Sequence, residues 1–281
     1  MIFEHEIPQN SKLYFGASAK LKREIESVCA NFLIDSGFSE IVTPFFSYHQ
    51  HEVFGSSEGL IRLNDKDNSK VTLRADSTID VVRIVTKRLN RSSDNKRWFY
   101  IQPVFNYPTK EQYQVGAEIL DGSVSEVAKV ALTLCNKLNI DASFQLANIA
   151  IANILVKNYG FSIDDIKNIH LEKILNSRYD WIKSLVAIES LQDLNDLSIY
   201  PKDIAIELEK LANCAKELNN PNILISPLYY APMRYYNAVV FRVFKGNDVY
   251  LTGGEYRIKD VNGAGFALNV DNILAKKIKR A

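Results

Sequence analysis

The sequence has few of the residues that build covalent or metal frameworks. Its 281 residues include three cysteines, four histidines and two methionines. Cys29, Cys135 and Cys214 lie far apart, each in an apolar pattern typical of a helix. They indicate buried, reduced thiols and argue against a disulfide or metal framework. His49 and His51 have the spacing of two ligands, but no third ligand lies near them, so we expect no metal and no other cofactor.

The sequence also lacks a long apolar run and an excess of one charge. The formal net charge is +1, and the only basic cluster is Lys276, Lys277, Lys279 and Arg280. Nucleic-acid surfaces need clustered Lys and Arg to neutralise phosphates, so we expect no nucleic-acid partner. No secretory signal opens the sequence and no apolar run is long enough to span a bilayer, so we expect a cytoplasmic location without a membrane partner.

Glycine is absent from a long central stretch. None occurs between Gly160 and Gly246, and the apolar spacing from about residue 149 to 220 is that of helices. Alternating strand patterns precede and follow this stretch, including a hairpin at 60–74 and another around Gly246. The sequence therefore predicts one α+β domain over residues 1–281, with a helical insertion at about 149–220.

The most informative stretch is 97–122, which predicts two antiparallel strands joined by a turn at 106–110. Gln114, Gly116 and Glu118 share one side of the return strand. Two interpretations are open. The side is a solvated outer face, as is normal in antiparallel sheets, or it is the floor of a small-ligand site. In the second case Gly116 leaves room, and Gln114 and Glu118 point into it.

Two further segments carry expectations. Residues 41–46 predict a short strand broken by Pro44, which places it at an edge, a bulge or an interface. Asp76, Ser77 and Thr78 precede an apolar helical pattern, and capping of that helix is one explanation for their presence.

Several motifs then occur in a characteristic order. They are Leu73-Arg74-Ala75-Asp76-Ser77-Thr78, Phe105-Asn106-Tyr107, Gln114-Val115-Gly116-Ala117-Glu118, Tyr235-Tyr236, Gly253-Gly254-Glu255-Tyr256 and Gly265-Phe266-Ala267-Leu268. The ordered set resembles the catalytic core of histidyl-tRNA synthetases, and more closely their paralogue, the regulatory subunit of ATP phosphoribosyltransferase in histidine biosynthesis. The resemblance covers nearly the whole chain. It implies a class II aminoacyl-tRNA synthetase-like antiparallel sheet flanked by helices, without an anticodon-binding domain.

The departures from the synthetase pattern concern charge. The resemblance places ATP-binding arginines where this chain has Asn106 and Asn272, and an arginine of the histidine-specific loop at Ala231. Adenylate formation needs such cations to stabilise phosphate charge, so the resemblance implies a non-catalytic subunit. Where the family has an arginine and an aspartate, this chain has Glu255 and Arg257, and we expect these two residues to form a reversed ion pair.

The resemblance also implies a histidine pocket. Its residues are Asp76, Thr78, Gln114, Glu118, Tyr235 and Tyr236. Glu118 and a tyrosine hydroxyl suit the two imidazole nitrogens, and the remaining polar groups suit the ammonium group.

The resemblance implies several partners. They are a short-form ATP phosphoribosyltransferase catalytic subunit, a second copy of the chain paired through the first helix and the Pro44 strand, and L-histidine. Two alternatives remain open: a histidine-activating enzyme that does not charge tRNA, and a dimeric scaffold with a vestigial pocket.

Overall fold

The computed structural model describes residues 6–48, 50, 59–231, 233 and 235–278. The elements before the insertion are α1 (Gly16–Asp35), β1 (Ser39–Glu40), β2 (Phe46–Ser47), β3 (Arg62–Asn64), β4 (Lys70–Leu73), α2 (Ser77–Ile84, continued by a π-helical turn Val85–Leu89), β5 (Arg97–Asn106), β6 (Lys110–Leu120), α3 (Val124–Lys137) and β7 (Ser143–Asn148). Each predicted hairpin strand in this part is present, and the turn of the second hairpin is at 107–109.

The insertion is helical, as predicted. It contains α4 (Ile149–Tyr159), α5 (Ile163–Lys167), α6 (Leu171–Leu175), α7 (Trp181–Val186), a 3₁₀ turn (Gln192–Leu194) and α8 (Lys202–Leu218). The chain then returns to the sheet through β8 (Ile223–Ile225), β9 (Tyr236–Lys245), β10 (Asp248–Ile258) and β11 (Val261–Asn269), and ends its described part in α9 (Val270–Ile278). The α+β prediction is confirmed.

Eight strands form the main sheet in the order β1-β5-β6-β11-β10-β9-β7-β8. Among the described strands only the outermost pairings, β1 with β5 and β8 with β7, are parallel. The strands that arrive last in sequence, β9 to β11, fill the centre of the sheet between β6 and β7. Residues from both ends of the chain therefore lie side by side on the same sheet face.

The two faces of this sheet are covered differently. Helices α1, α3, α8 and α9 pack on one face, where Phe99, Ala117 and Phe266 are fully buried in the largest apolar cluster. Helix α2 packs on the other face near β5 and β6, against Trp98 and Tyr100. Near β5 and β6 the second face therefore carries the polar motif residues beneath α2.

The three cysteines are buried free thiols, as predicted. Burial raises the pKa of Cys29 and Cys135 to about 12 and that of Cys214 to about 11. They are therefore protonated and unreactive at neutral pH.

The strand predicted at 41–46 is wrong as a continuous element. β1 ends at Glu40 and pairs with β5, whereas β2 begins at Phe46 and pairs with β4 in a separate three-stranded sheet. The carbonyl groups of Thr43 and Pro44 accept hydrogen bonds from the Arg74 guanidinium instead of from a neighbouring strand. The Arg74 side chain therefore satisfies these backbone carbonyl groups, where the sequence predicts hydrogen bonds to a neighbouring strand.

No helix within the described residues is long and apolar enough to cross a membrane. Within the same ranges no three His, Cys, Asp or Glu side chains converge as metal ligands, and His49 and His51 lie outside them.

Arg74 ties three segments together from a fully buried position. Besides Thr43 and Pro44, it donates to the Pro103 carbonyl from Nε at 3.0 Å and from Nη2 at 2.7 Å. Burial lowers its pKa to about 10, so the guanidinium stays charged at neutral pH. This single side chain joins the 43–44 segment, the end of β4 and strand β5.

We expect Arg74→Met to destabilise the protein by about 3 kcal/mol, because it leaves several buried carbonyl groups without donors. Urea unfolding at pH 7 measures the change. The matched control is Arg257→Met, since Arg257 is exposed and its side chain donates, among the described residues, only to the Lys259 carbonyl. It should change the stability by less than about 0.5 kcal/mol. Equal losses in the two variants would contradict the role assigned to Arg74.

Candidate functional site

Glu118 lies on the floor of the site, in the middle of the sheet. Its cross-strand neighbours are Trp98 on β5 and Gly265 on β11. The side chain is 0% exposed. The interpretation of this face as a solvated outer surface is therefore wrong at Glu118, because α2 and the tyrosines around it exclude water.

The Glu118 carboxyl is only half satisfied. Oε1 accepts a hydrogen bond of 2.7 Å from the Thr78 hydroxyl, whereas Oε2 is buried without a partner among the described residues. The Tyr256 hydroxyl faces this carboxyl but forms no hydrogen bond of normal geometry with a described residue. Burial raises the pKa of Glu118 to about 8, and the Thr78 hydrogen bond opposes the rise. A buried acceptor left open is the strongest sign of a ligand at this point.

Gly265 makes the position of Glu118 sterically possible. A Cβ atom at residue 265 would lie 1.9 Å from Glu118 Oε2 and 2.8 Å from the Ala117 carbonyl oxygen. No side chain larger than hydrogen fits beneath the carboxyl in this arrangement.

Asp76 is a helix cap and also belongs to the site. Its Oδ1 accepts the Ile79 N–H at 3.0 Å, and its Oδ2 accepts the Tyr235 hydroxyl at 3.0 Å. Burial raises its pKa to about 6, although both hydrogen bonds favour the charged form. Capping of the helix thus uses one carboxyl oxygen of Asp76, and the other oxygen faces Tyr235.

Four tyrosines surround the two carboxyl groups: Tyr100, Tyr235, Tyr236 and Tyr256. The Tyr235 ring lies 4.9 Å from that of Tyr236 and 6.0 Å from that of Tyr256. Burial raises the pKa of all four hydroxyls, so they are neutral and can donate hydrogen bonds. Among the described residues no basic side chain forms an ion pair with either carboxyl group. The arrangement suits a ligand that brings N–H donors or positive charge.

The room expected above Gly116 is already filled. A Cβ atom there would lie 2.2 Å from Tyr100, so this glycine makes space for a tyrosine ring and not for a ligand. Gln114 is on the same side of β6, in register with Gln102 and Asn269. It lies roughly 13 Å along the strand from Glu118. The structure therefore brings Asp76, Thr78, Glu118, Tyr235 and Tyr236 together and leaves Gln114 at the rim.

Supporting residues were missed by the sequence reasoning. Gln50 is fully buried; its Oε1 accepts the N–H groups of Ala75 and Asp76, and its Nε2 donates to the Asp76 carbonyl and to Asp80. Gln102 donates from Nε2 to the hydroxyls of Thr43 and Ser77. A single amide at each position gives no periodic signal, so only the fold brings them to the Asp76 turn.

The expected ion pair between Glu255 and Arg257 does not form. Burial raises the pKa of the Glu255 carboxyl, and the nearby backbone N–H groups of Val124 and Val239 oppose the rise, whereas the exposed Arg257 donates to the Lys259 carbonyl. Both residues lie on one side of β10, but Glu255 is partly buried and Arg257 is exposed.

The three positions that the resemblance assigns to arginines bring no cation to the site. Asn106 ends β5, Ala231 is buried against Ala147 and Val240, and the Asn272 side chain donates to the Val249 carbonyl at 2.8 Å. Arg234, which precedes Tyr235 in the sequence, lies outside the described residues.

Sequence comparison finds relatives over nearly the whole chain. The family model described as histidyl-tRNA synthetase matches residues 15–273. The ATP phosphoribosyltransferase regulatory subunit of Wolinella succinogenes is 42% identical, over 99% of this chain and 98% of that protein. The protein of the same name from Helicobacter hepaticus is 39% identical over 98% of both chains.

Solved structures show the same fold. A Bacillus halodurans protein described as an ATP phosphoribosyltransferase regulatory subunit/histidyl-tRNA synthetase matches with a TM-score of 0.84 and 18% identity, over 98% of this chain and 84% of that chain. Histidyl-tRNA synthetase from Nostoc matches with a TM-score of 0.81 and 15% identity, over 99% of this chain and 76% of that chain. The class II synthetase-like fold is therefore confirmed.

The raised pKa of Glu118 predicts how stability depends on pH. Between its ordinary value of 4.5 and about 8, the native state holds a proton that the unfolded state releases, so stability falls as pH rises. Above pH 6 the Asp76 carboxyl has passed its own pKa of about 6. We expect the wild type to lose on the order of 2 kcal/mol between pH 6 and pH 8 in urea unfolding.

The Glu118→Gln variant should lose clearly less over the same interval, because it has no carboxyl to ionise. Glu172→Gln is the matched control, since Glu172 is exposed on α6 and should leave the pH dependence unchanged. If Glu118→Gln and the wild type showed parallel curves, Glu118 would not be protonated in the native state at pH 6.

Proposed function

Because the chain belongs to the histidyl-tRNA synthetase family, and within it to the ATP phosphoribosyltransferase regulatory subunits, we propose that it binds and activates a short-form catalytic subunit of that enzyme in L-histidine biosynthesis. The observation that carries this proposal is the near-complete alignment with two relatives of that name. Both relatives are about the length of this chain, so the match covers their whole regulatory unit.

A non-catalytic role is consistent with the charge of the site. Class II adenylate chemistry needs fixed cations against the phosphates of ATP. Asn106 and Asn272 stand where the resemblance expects two of those arginines, and Asn272 uses its amide on the backbone. On this basis the chain binds a ligand without activating it.

The ligand that the site suits is free histidine. The open Glu118 Oε2 accepts an imidazole N–H, and a neighbouring tyrosine hydroxyl donates to the other ring nitrogen. Thr78 contacts Glu118 directly and Asp76 contacts Tyr235, so the ammonium group finds acidic and hydroxyl oxygens beside the imidazole. Gln114 at the rim completes the proposed set. Histidine occupancy then reports the end product of the pathway to the catalytic subunit.

The carboxylate end of histidine is the weak point of this pocket. Neither Ala231 nor Asn106 supplies a cation, so most of the binding free energy must come from the imidazole and ammonium ends. Histidinol should therefore bind nearly as tightly as histidine. If histidinol bound at least about 100-fold more weakly, a cation would have to grip the carboxylate.

The decisive experiment reconstitutes the chain with the short-form catalytic subunit from its own source. We expect the two to co-purify, the phosphoribosyl transfer rate to rise on complex formation, and histidine to reduce that rate. Glu118→Gln should weaken the histidine effect by roughly 1–3 kcal/mol, about fivefold to 150-fold in concentration. Bound histidine brings N–H groups and positive charge that favour the ionised carboxyl, whereas the variant offers only a neutral amide. The variant should leave the complex intact.

Glu172→Gln serves again as the control and should behave like the wild type. Histidine-dependent pyrophosphate exchange by the chain alone would replace this proposal with the synthetase-like enzyme. A complex that forms but ignores histidine, together with no calorimetric signal from millimolar histidine, would leave a dimeric scaffold with a vestigial pocket.

We further propose that the chain forms a homodimer through the segment around Pro44. Val42 is 76% exposed, and Phe46 on β2 is exposed on the same face of the small sheet as Leu63 on β3. Phe15, which precedes α1, is also exposed. Exposed apolar side chains of this kind suit isologous pairing.

Sedimentation at micromolar concentration should give a homodimer for the wild type and a species of about 32 kDa for Phe46→Asp, because a buried carboxylate in the interface is costly. The control is Ile199→Asp, since Ile199 is similarly exposed in the insertion. It should remain dimeric. A monomeric wild type would refute the homodimer.

A further inference from the structure

A groove of about 240 Å³ lies between the helical insertion and the far end of the sheet. Helices α5, α6 and α7 form one wall, and β7, β9 and the 226–229 segment form the other. The wall from the insertion is aliphatic; its residues are Ile166, Ile169, Leu171, Ile174, Leu185, Val186 and Ile188. None of the proposed histidine-binding residues lines this groove.

The polar end of the groove presents donors. Gln145 is buried, accepts the Arg242 Nε–H with its Oε1 and donates from Nε2 to the Ser226 hydroxyl at 2.6 Å. Both ends of the Gln145 amide are thereby used. The groups left to meet a ligand are the Ser226 O–H and the two terminal nitrogens of Arg242.

Arg242 is held as a rigid fork. Its guanidinium carbon lies 4.0 Å from the centre of the Tyr229 ring and 4.3 Å from that of the Phe244 ring. Its Nη atoms make no hydrogen bond or ion pair with a described residue, although Nε is fixed by Gln145. Because stacking and the Nε bond already restrict the side chain, little rotamer entropy remains to be lost when an anion binds.

The opening of the groove carries a strained apolar residue. Ile169 has φ +53, and its side chain is 64% exposed. Positive φ is costly for a β-branched residue, and such strain concentrates at ligand sites. Leu171 beside it is also exposed, so the apolar wall extends from the interior to the rim.

We propose that this groove binds a small monocarboxylate with an apolar body, its carboxylate on Arg242 and Ser226 and its hydrocarbon part against the insertion. A planar fork of two N–H groups matches a carboxylate. The volume is below the usual range of drug-sized sites and suits a body of about six to ten heavy atoms. Glu189 also lines the groove, and its negative charge disfavours a dianion such as phosphate.

This site is distinct from the histidine pocket. Arg242 stands in the same cross-strand row as Thr252, Ala267 and Gly116, three strands away from β6. That separation is roughly 14 Å. The inference therefore stands whether or not the chain binds histidine.

The test uses the full chain with ¹³C-labelled isoleucine methyl groups, and 4-methylpentanoate and its neutral isostere 4-methylpentanamide as probes. We expect saturable shifts of the Ile166, Ile169, Ile174 and Ile188 methyl signals, with the carboxylate bound at least about tenfold more tightly than the amide. Arg242→Gln should abolish this preference. Arg257→Gln, an exposed arginine on β10, should preserve it.

The comparison of the two probes needs no variant, so it decides the proposal even if Arg242→Gln does not fold. Equal affinities of acid and amide would overturn it, and so would the absence of shifts at these methyl groups up to about 20 mM probe. Acetyl-Gly-Leu, with a free carboxyl terminus, is the last arm. If it bound the same methyl groups at least about tenfold more tightly than 4-methylpentanoate, the groove would belong to a protein chain end and not to a small molecule.

Discussion

The site depends on one constraint, the burial of a carboxyl group without a cation. Glu118 has a single hydrogen bond from Thr78, and no ion pair joins it within the described residues. Desolvation therefore governs its protonation, and the surrounding groups must be neutral donors. The four tyrosines meet that requirement, since their hydroxyls stay protonated when buried. A ligand that brings its own N–H groups replaces the hydrogen bonds to water that the carboxyl loses on burial. The geometry therefore favours an imidazole and an ammonium group.

The neighbouring structure serves to hold α2 over this carboxyl. Asp76 caps the helix, Gln50 satisfies the turn before it, and Arg74 attaches the end of β4 to the 43–44 segment and to β5. All three are buried polar residues whose partners are mainly backbone groups. Such contacts fix position more than they add net stability, because each replaces a hydrogen bond to water. Thr78 reaches Glu118 only if this turn is kept.

Much of the fold could be predicted from the sequence, because its signals are local. The 97–122 hairpin, the cap at Asp76 and the helical insertion each follow from periodicity and capping chemistry within one segment. The failures concern contacts between distant segments. No pattern indicates that Tyr100 fills the space above Gly116, that Arg74 replaces a strand ladder at 43–44, or that Glu255 is partly buried while Arg257 is exposed. The site residues were predicted from the ordered set of motifs that resembles the family. Periodicity alone does not distinguish a solvated outer face from a ligand site at Glu118.

The contact between Glu118 and Gly265 has a consequence for how relatives of this chain diverge. The carboxyl oxygen occupies the volume that any larger residue at 265 would need. A lineage that replaces the glycine first loses the buried carboxyl arrangement, whereas a lineage that replaces the glutamate first frees position 265 to drift. The two positions, 147 residues apart in sequence, are therefore expected to change in a fixed order. Among descendants, a residue larger than glycine at 265 would mark those that have already lost the buried carboxyl group at 118.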